Sequence, residues 1–111
     1  MSNDPVLSRL GFARKAGKLS LGFAASKEAC LAGKAKLIAV AKDVSEKSEK
    51  EIRYFCRGKI PVGRIDKTID EMSAAIGARA GIVSVNDRGF ADALKKFEPF
   101  ISCKEETHNA D

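Results

Sequence analysis

Hydrophobic positions along this chain alternate between helical and extended spacing. Val6, Leu10 and Ala13 recur at helical intervals after Asp4-Pro5, an acid at the N-cap with proline at the first helical position, and Gly17 follows as the stop. Lys18–Leu21 then alternates like a short strand. Gly22 opens a second helix over about 22–32, with Ser26, Ala29, Cys30 and Gly33 as its expected buried face. Leu37–Ala41 is an unbroken apolar run, the pattern of a strand covered on both faces. Asp43-Val44-Ser45 turns the chain into a third helix over about 45–57. Its Ile52, Phe55 and Cys56 share one face, the remainder is charged, and Gly58 ends it.

Ile60–Ile65 predicts another strand, with Pro61 at its beginning where a missing N–H does least harm. Asp66 or Thr68 caps a fourth helix that turns Ile69, Met72 and Ile76 inward and closes at Gly77. Gly81–Val85 is a further buried strand, and Asp87 begins a last helix striped by Phe90, Leu94 and Phe97. The order αβαβαβαβα predicts an α/β fold whose sheet carries helices on both faces. Residues 1–103 read as one domain and 104–111 as a flexible polar tail.

Composition narrows the class. A chain of 111 residues, 44% hydrophobic and 32% charged, can bury a real core. It contains no apolar run near the ~20 residues that span a bilayer, and its first residues lack a secretory pattern, so no membrane role is expected. Cys30, Cys56 and Cys103 are odd in number and far apart, which predicts reduced thiols in the cytoplasm, the first two as small buried hydrophobes. No CxxC suggests zinc.

Candidate chemistry is sparse. His108, the one histidine, lies in the tail. Asp43 and Asp87 sit at strand ends, where catalytic acids occur, but both read as helix caps. Gly17-Lys18-Leu19-Ser20 echoes the end of a phosphate-binding loop without its upstream glycine or its strand-to-helix order. Ser20 has no base to activate it. Neither an enzyme nor a cofactor or metal site is expected.

Charge points elsewhere. The net charge is +5, yet residues 1–59 carry 13 Lys/Arg against 6 Asp/Glu, while 60–111 carry 7 against 9. A one-sided basic surface is the footprint of a polyanion binder, although a merely solvated surface gives the same count. Arg14, Lys15, Lys18, Lys27, Lys34, Lys36 and Lys42 crowd the stretch around Gly22. A helix start at Gly22 leaves backbone N–H groups open to an anion. Arg14, Lys18, Lys27 and Lys42 are therefore expected on one positive face near Gly22.

Six short motifs now occur in register: Leu10-Gly-Phe-Ala-Arg-Lys-Ala-Gly-Lys-Leu19, Gly33-Lys-Ala-Lys-Leu37, Ala41-Lys-Asp43, Ile60-Pro-Val62, Ala75-Ile-Gly77 and Asn86-Asp-Arg-Gly-Phe-Ala91. Over roughly residues 5–97 the chain resembles the L7Ae/L30e superfamily of ribosomal proteins, and within it the bacterial YlxQ-type homologues. The resemblance implies a three-layer αβα sandwich around a mixed four-stranded sheet, with kink-turn RNA as the typical ligand. In that family the second helix enters a widened groove beside tandem sheared G·A pairs, and the loop before the last strand closes over an extruded base. Carried onto this chain, the RNA-binding residues are Gly22, Phe23, Ala24, Ala25, Lys27 and Glu28, with Lys42 and Asp43 beside them and Ala78, Arg79 and Ala80 in the second loop. Ala24, Ala25 and Glu28 stand where the well-characterised kink-turn binders carry Asn, Glu and Lys. Structured RNA, including ribosomal RNA, is thus the expected partner, and a protein-interaction paralogue that has lost kink-turn recognition is the alternative.

Overall fold

The computed structural model describes residues 4–56 and 60–97. In chain order these form α1 (Pro5–Lys15), β1 (Leu19–Leu21), α2 (Phe23–Leu31), β2 (Leu37–Val40), α3 (Glu46–Cys56), β3 (Val62–Arg64), α4 (Ile69–Ile76), β4 (Ile82–Val85) and α5 (Arg88–Phe97). Every expected element is present, with each strand trimmed at its ends. Gly58, Cys103, His108, the tail 104–111 and the side chain of Phe97 lie outside the described residues.

The helices start where local chemistry satisfies their free N–H groups. Asp4 Oδ1 accepts from Val6 N at 2.8 Å, with Pro5 at the first helical position. Thr68, rather than Asp66, caps α4 in a reciprocal box with Glu71. Asp87 Oδ2 accepts from Phe90 N at 3.0 Å, so that acid is a cap. Asp43 is a cap too, but of a distant helix: its carboxylate accepts from Ile69 N at 2.8 Å, while Ser45 Oγ serves the start of α3.

The sheet order is β1-β4-β2-β3. β4 runs antiparallel to both neighbours, and only β2–β3 is parallel, the pair joined through the α3 crossover. Alternation along the strands makes two cores. Leu37, Ala39, Ala41, Val83 and Val85 face one way, onto Val6 and Leu10 of α1, Met72 and Ile76 of α4, and Ala91 and Leu94 of α5. Ile38, Val40, Val62 and Ile82 face the other way, onto Ala29 and Cys30 of α2 and Ile52 and Cys56 of α3. The result is a three-layer αβα sandwich with a mixed four-stranded sheet.

Two expectations need correction. Gly33 is exposed, not buried, because α2 has already ended at Ala32 and Gly33 supplies the left-handed turn with φ +77°. Cys30 and Cys56 are buried as expected, at 8% and 1% exposure, but they are not separate thiols: a disulfide joins them, with Cα atoms 5.7 Å apart. Their 26-residue separation along the chain disappears where α2 packs on α3.

Candidate nucleic-acid interface

Gly22 ends β1 and caps α2 with φ +92° and ψ 169°, a conformation that strains any residue carrying a Cβ. Its own N–H donates to Ile82 O at 2.8 Å, which pins the start of α2 to the start of β4. No side chain caps α2 and no acid lies in its first turn. The first-turn N–H groups and the positive end of the helix dipole therefore point at whatever sits beyond Gly22. Ala24 and Glu28 are exposed along this helix and Ala25 half-buried.

Two loops meet this helix start through the strand ends. Ala41 N donates to Gly81 O at 2.8 Å and Lys42 N to Lys67 O at 2.8 Å, so the 41–44 turn lies beside the start of β4. Gly81 has no room for a side chain here, since a Cβ would stand 2.9 Å from both Ile69 Cγ1 and Val44 Cγ2. The 77–80 loop arrives through Gly77 in the left-handed conformation and is held by Ser73 Oγ, which accepts from Ala80 N at 3.1 Å.

Arg64, at the end of β3, organises the 41–44 turn. Its Nη1 donates to the carbonyls of Ala41 (3.2 Å), Lys42 (2.7 Å) and Val44 (3.2 Å), while Nη2 pairs with Glu49 of α3. Glu49 also receives Arg53 Nη2 at 2.8 Å. Burial alone would raise the Glu49 pKa, but the hydrogen bonds and charges of Arg64 and Arg53 outweigh it and hold the carboxyl below its ordinary value of 4.5. A depressed folded-state pKa gives stability that is complete above the unfolded value and lost as pH falls through the folded one. Denaturant midpoints should thus fall between about pH 5 and 3 in the wild type and fall less in Glu49→Gln. At pH 7 the variant should be weaker by about 2 kcal/mol. Equal acid slopes for the two proteins would remove Glu49 as the sensor.

The sequence-expected residues divide. Gly22 with the first turn of α2, Lys42, Asp43 and the 78–80 loop lie towards one end of the sheet, and Lys27 and Glu28 follow further along α2, which runs towards the other end. At the Gly22 end Lys42 Nζ pairs with Asp66 at 3.2 Å, Arg79 with Asp70 at 2.5 Å, and both pairs are well exposed. Ala80 has its side chain packed in the core, so the loop offers outward only its backbone, Ala78 and Arg79. Arg14 Nη1 donates to Ile76 O at 2.8 Å, two residues before Ala78. Lys18 stands apart: its carbonyl accepts from Asn86 N at the far end of β4, and all of β1 separates it from Gly22. The single face expected for Arg14, Lys18, Lys27 and Lys42 does not form: Lys18 N donates to Ala13 O at 2.9 Å, which sets Lys18 beside Arg14 at the end of α1, and α1 packs on the side of the sheet away from α2 and its Lys27.

Reading the sequence missed Arg64, because an arginine ending a short edge strand looks like any solvated charge. It also missed the polar layer near α2, where Asn86 Nδ2 donates to Ser20 Oγ at 3.0 Å and fully buried Ser84 donates to Asn86 Oδ1 at 2.5 Å. Among the described residues no group of three His, Cys, Asp or Glu side chains is placed to hold a metal ion, and no helix is long and apolar enough to cross a membrane.

Known proteins share this fold. The model of the ribosomal protein L7Ae/L30e/S12e/Gadd45 family matches residues 4–95. The large ribosomal subunit protein eL30 of Yarrowia lipolytica is 33% identical over 96 residues, 84% of this chain and 88% of its own. Its Saccharomyces cerevisiae counterpart is 28% identical, over 84% and 91%. Among solved structures, a Bacillus halodurans protein of unknown function aligns with TM-score 0.79 at 26% identity, over 86% of this chain and 97% of that one. The Giardia lamblia 15.5kD RNA binding protein aligns with TM-score 0.66 at 15% identity, over 87% and 88%, a likeness of fold alone. With the match running from the α1 cap into α5, and a relative one-third identical across most of the domain, the chain belongs to the ribosomal protein L7Ae/L30e/S12e/Gadd45 family.

Proposed function

We propose that this protein is a non-enzymatic, cytoplasmic binder of structured RNA, of the ribosomal or kink-turn kind, and that it uses the end of the sheet where α2 begins. One observation carries the reading: the uncapped, acid-free start of α2 lies between two loops that bring Lys42 and Arg79 to the same end. Such an end suits a bent phosphate backbone, with N–H groups and exposed cations converging on one strand. The eL30 relatives are named as ribosomal subunit proteins and the Giardia neighbour as an RNA binding protein, which supports the same partner class.

Binding through phosphates releases counterions, so affinity should fall steeply with salt. With about 3–5 contacts the slope of log K against log salt should be on the order of −2 to −5. Lys27→Ala should weaken every bound RNA alike and flatten the slope by about 1, whereas Lys104→Ala in the tail should change little. Equal losses from both substitutions, or a flat salt dependence, would sink the reading. The exposed methyl of Ala24 favours a second one, a protein-interaction module, which would appear as a folded protein without RNA affinity at low salt.

A further inference from the structure

At the end of the sheet opposite Gly22, four cations gather that the core does not use. Lys36 N and Asn86 N carry the ladder past the strand ends, donating to Val85 O and Lys18 O, each at 2.8 Å. Leu19 and Leu37 both lie opposite Val85, so Lys18 and Lys36 flank Asn86 in one cross-strand row. Their backbones therefore stand about 10 Å apart, two strand spacings. Lys34 comes two residues before Lys36, where its N–H closes the end of α2 on Ala29 O at 2.9 Å. Arg88 comes two residues after Asn86 and opens α5. All four residues are exposed, and among the described residues none of them is in an ion pair. Lys42, Arg53, Arg64, Lys67 and Arg79, by contrast, are each held by a carboxylate.

Local stability does not account for this cluster. A lysine just past a helix end offsets the negative end of the dipole, which covers Lys18 after α1 and Lys34 after α2. Lys36 leads into a strand instead, and Arg88 occupies the first turn of α5, where the positive end of the dipole disfavours a cation. The carboxylates nearest in the chain are Asp87, engaged as the α5 cap, and Glu28, one turn before the end of α2.

We propose that Lys18, Lys34, Lys36 and Arg88 hold the phosphate backbone of a second RNA segment, so that one copy of the protein bridges two. The proposal rests on the RNA-binding reading and adds a second surface to it. Ile82, which receives Gly22 N, and Asn86 are four residues apart on one strand, so the two ends stand about 13 Å apart at about 3.3 Å per residue. Between them α2 exposes Glu28 and Leu31, so a backbone following the helix from one end to the other would cross a carboxylate and no exposed cation. That favours two segments over one. Lysine is a point charge on a flexible stem, so this surface meets phosphates and reads no bases. It takes a fully paired segment as readily as an unpaired one.

The probes are a hairpin RNA with a three-nucleotide bulge, fixed to a surface, and a labelled, fully paired RNA duplex. Protein bound to the hairpin at low salt should capture the duplex, and native mass spectrometry should show one protein carrying two RNAs. Duplex capture should fall with salt with a log–log slope on the order of −3. Lys18→Ala/Lys34→Ala/Lys36→Ala should hold the hairpin within about twofold of wild type and capture at least about tenfold less duplex per bound protein. All three lysines are exposed, so both cores stay intact. The charge-matched control Lys47→Ala/Lys50→Ala/Lys96→Ala should capture duplex like wild type. Hairpin binding without duplex capture, or equal capture by wild type and the first triple variant, overturns the second surface while the RNA reading stands. Equal loss in the control, or equal losses of hairpin and duplex, traces the effect to net charge or to a single site and also overturns it. So do complexes of two proteins with two RNAs, because self-association then supplies the second site. An absence of binding to any RNA at low salt overturns both readings.

Discussion

Reduction of the Cys30–Cys56 bond should lower the free energy of unfolding by about 3 kcal/mol. The bond closes a loop across a 26-residue separation, and releasing it returns that loop's freedom to the unfolded chain. For a domain of this size the loss corresponds to a drop of roughly 15 °C in Tm. Thermal and denaturant unfolding with and without a thiol reductant measures it, with thiol titration confirming complete reduction. A Cys30→Ala/Cys56→Ala variant should no longer respond to reductant. Unchanged midpoints in the fully reduced wild type would show that the bond adds nothing. Because the cysteines are 8% and 1% exposed, reductant should reach them only through opening of α2 from α3. Reduction should therefore be slow under native conditions and should accelerate in mild denaturant. In a reducing cytoplasm, newly made chains would hold these residues as thiols until an oxidant acts.

The fold was legible because each element carries its own local signal. Asp4-Pro5, Thr68 with Glu71, and Asp87 mark helix starts by side-chain chemistry, and the runs Leu37–Val40 and Ile82–Val85 mark strands buried on both faces. Strand order carries no such signal. That β4 sits between β1 and β2 follows from which faces close together, and only the family resemblance supplied a mixed sheet in advance. The cysteine pair was misread for the same reason: distance along the chain says nothing about where two helices cross. Lys18 shows the limit for the site. It is four positions from Gly22, but those positions form a strand, which rises about 3.3 Å per residue and carries the two ends well apart. Had the segment been helical, the two would have been neighbours. Asp43 was recognised as a cap, but nothing local in the sequence shows that its partner is Ile69, 26 residues on.

The triple change Ala24→Asn, Ala25→Glu and Glu28→Lys should raise affinity for a standard kink-turn by about tenfold to a hundredfold. None of the three side chains is buried, so the substitutions leave both cores intact. A glutamate at 25 falls in the first turn, where the helix dipole favours it. Asparagine and glutamate offer hydrogen bonds to the edges of sheared G·A pairs, and each well-formed base-edge contact contributes roughly 1–3 kcal/mol by analogy with DNA. At Glu28 the change replaces a carboxylate that repels phosphate with an ammonium that attracts it, so part of the gain should shrink as salt rises. At about 1.4 kcal/mol per decade, one good contact accounts for tenfold and two for a hundredfold. Wild type and triple variant would be titrated against one kink-turn RNA and an unbent duplex of matched length. Gains confined to the kink-turn would mean that Gly22, the 41–44 turn and the 78–80 loop still present a kink-turn surface lacking only its reading groups. Equal gains on both RNAs would trace to charge at position 28 alone. If the variant folds normally and binds neither RNA better, the surface around α2 has diverged too far for kink-turns, and a protein partner becomes the better assignment.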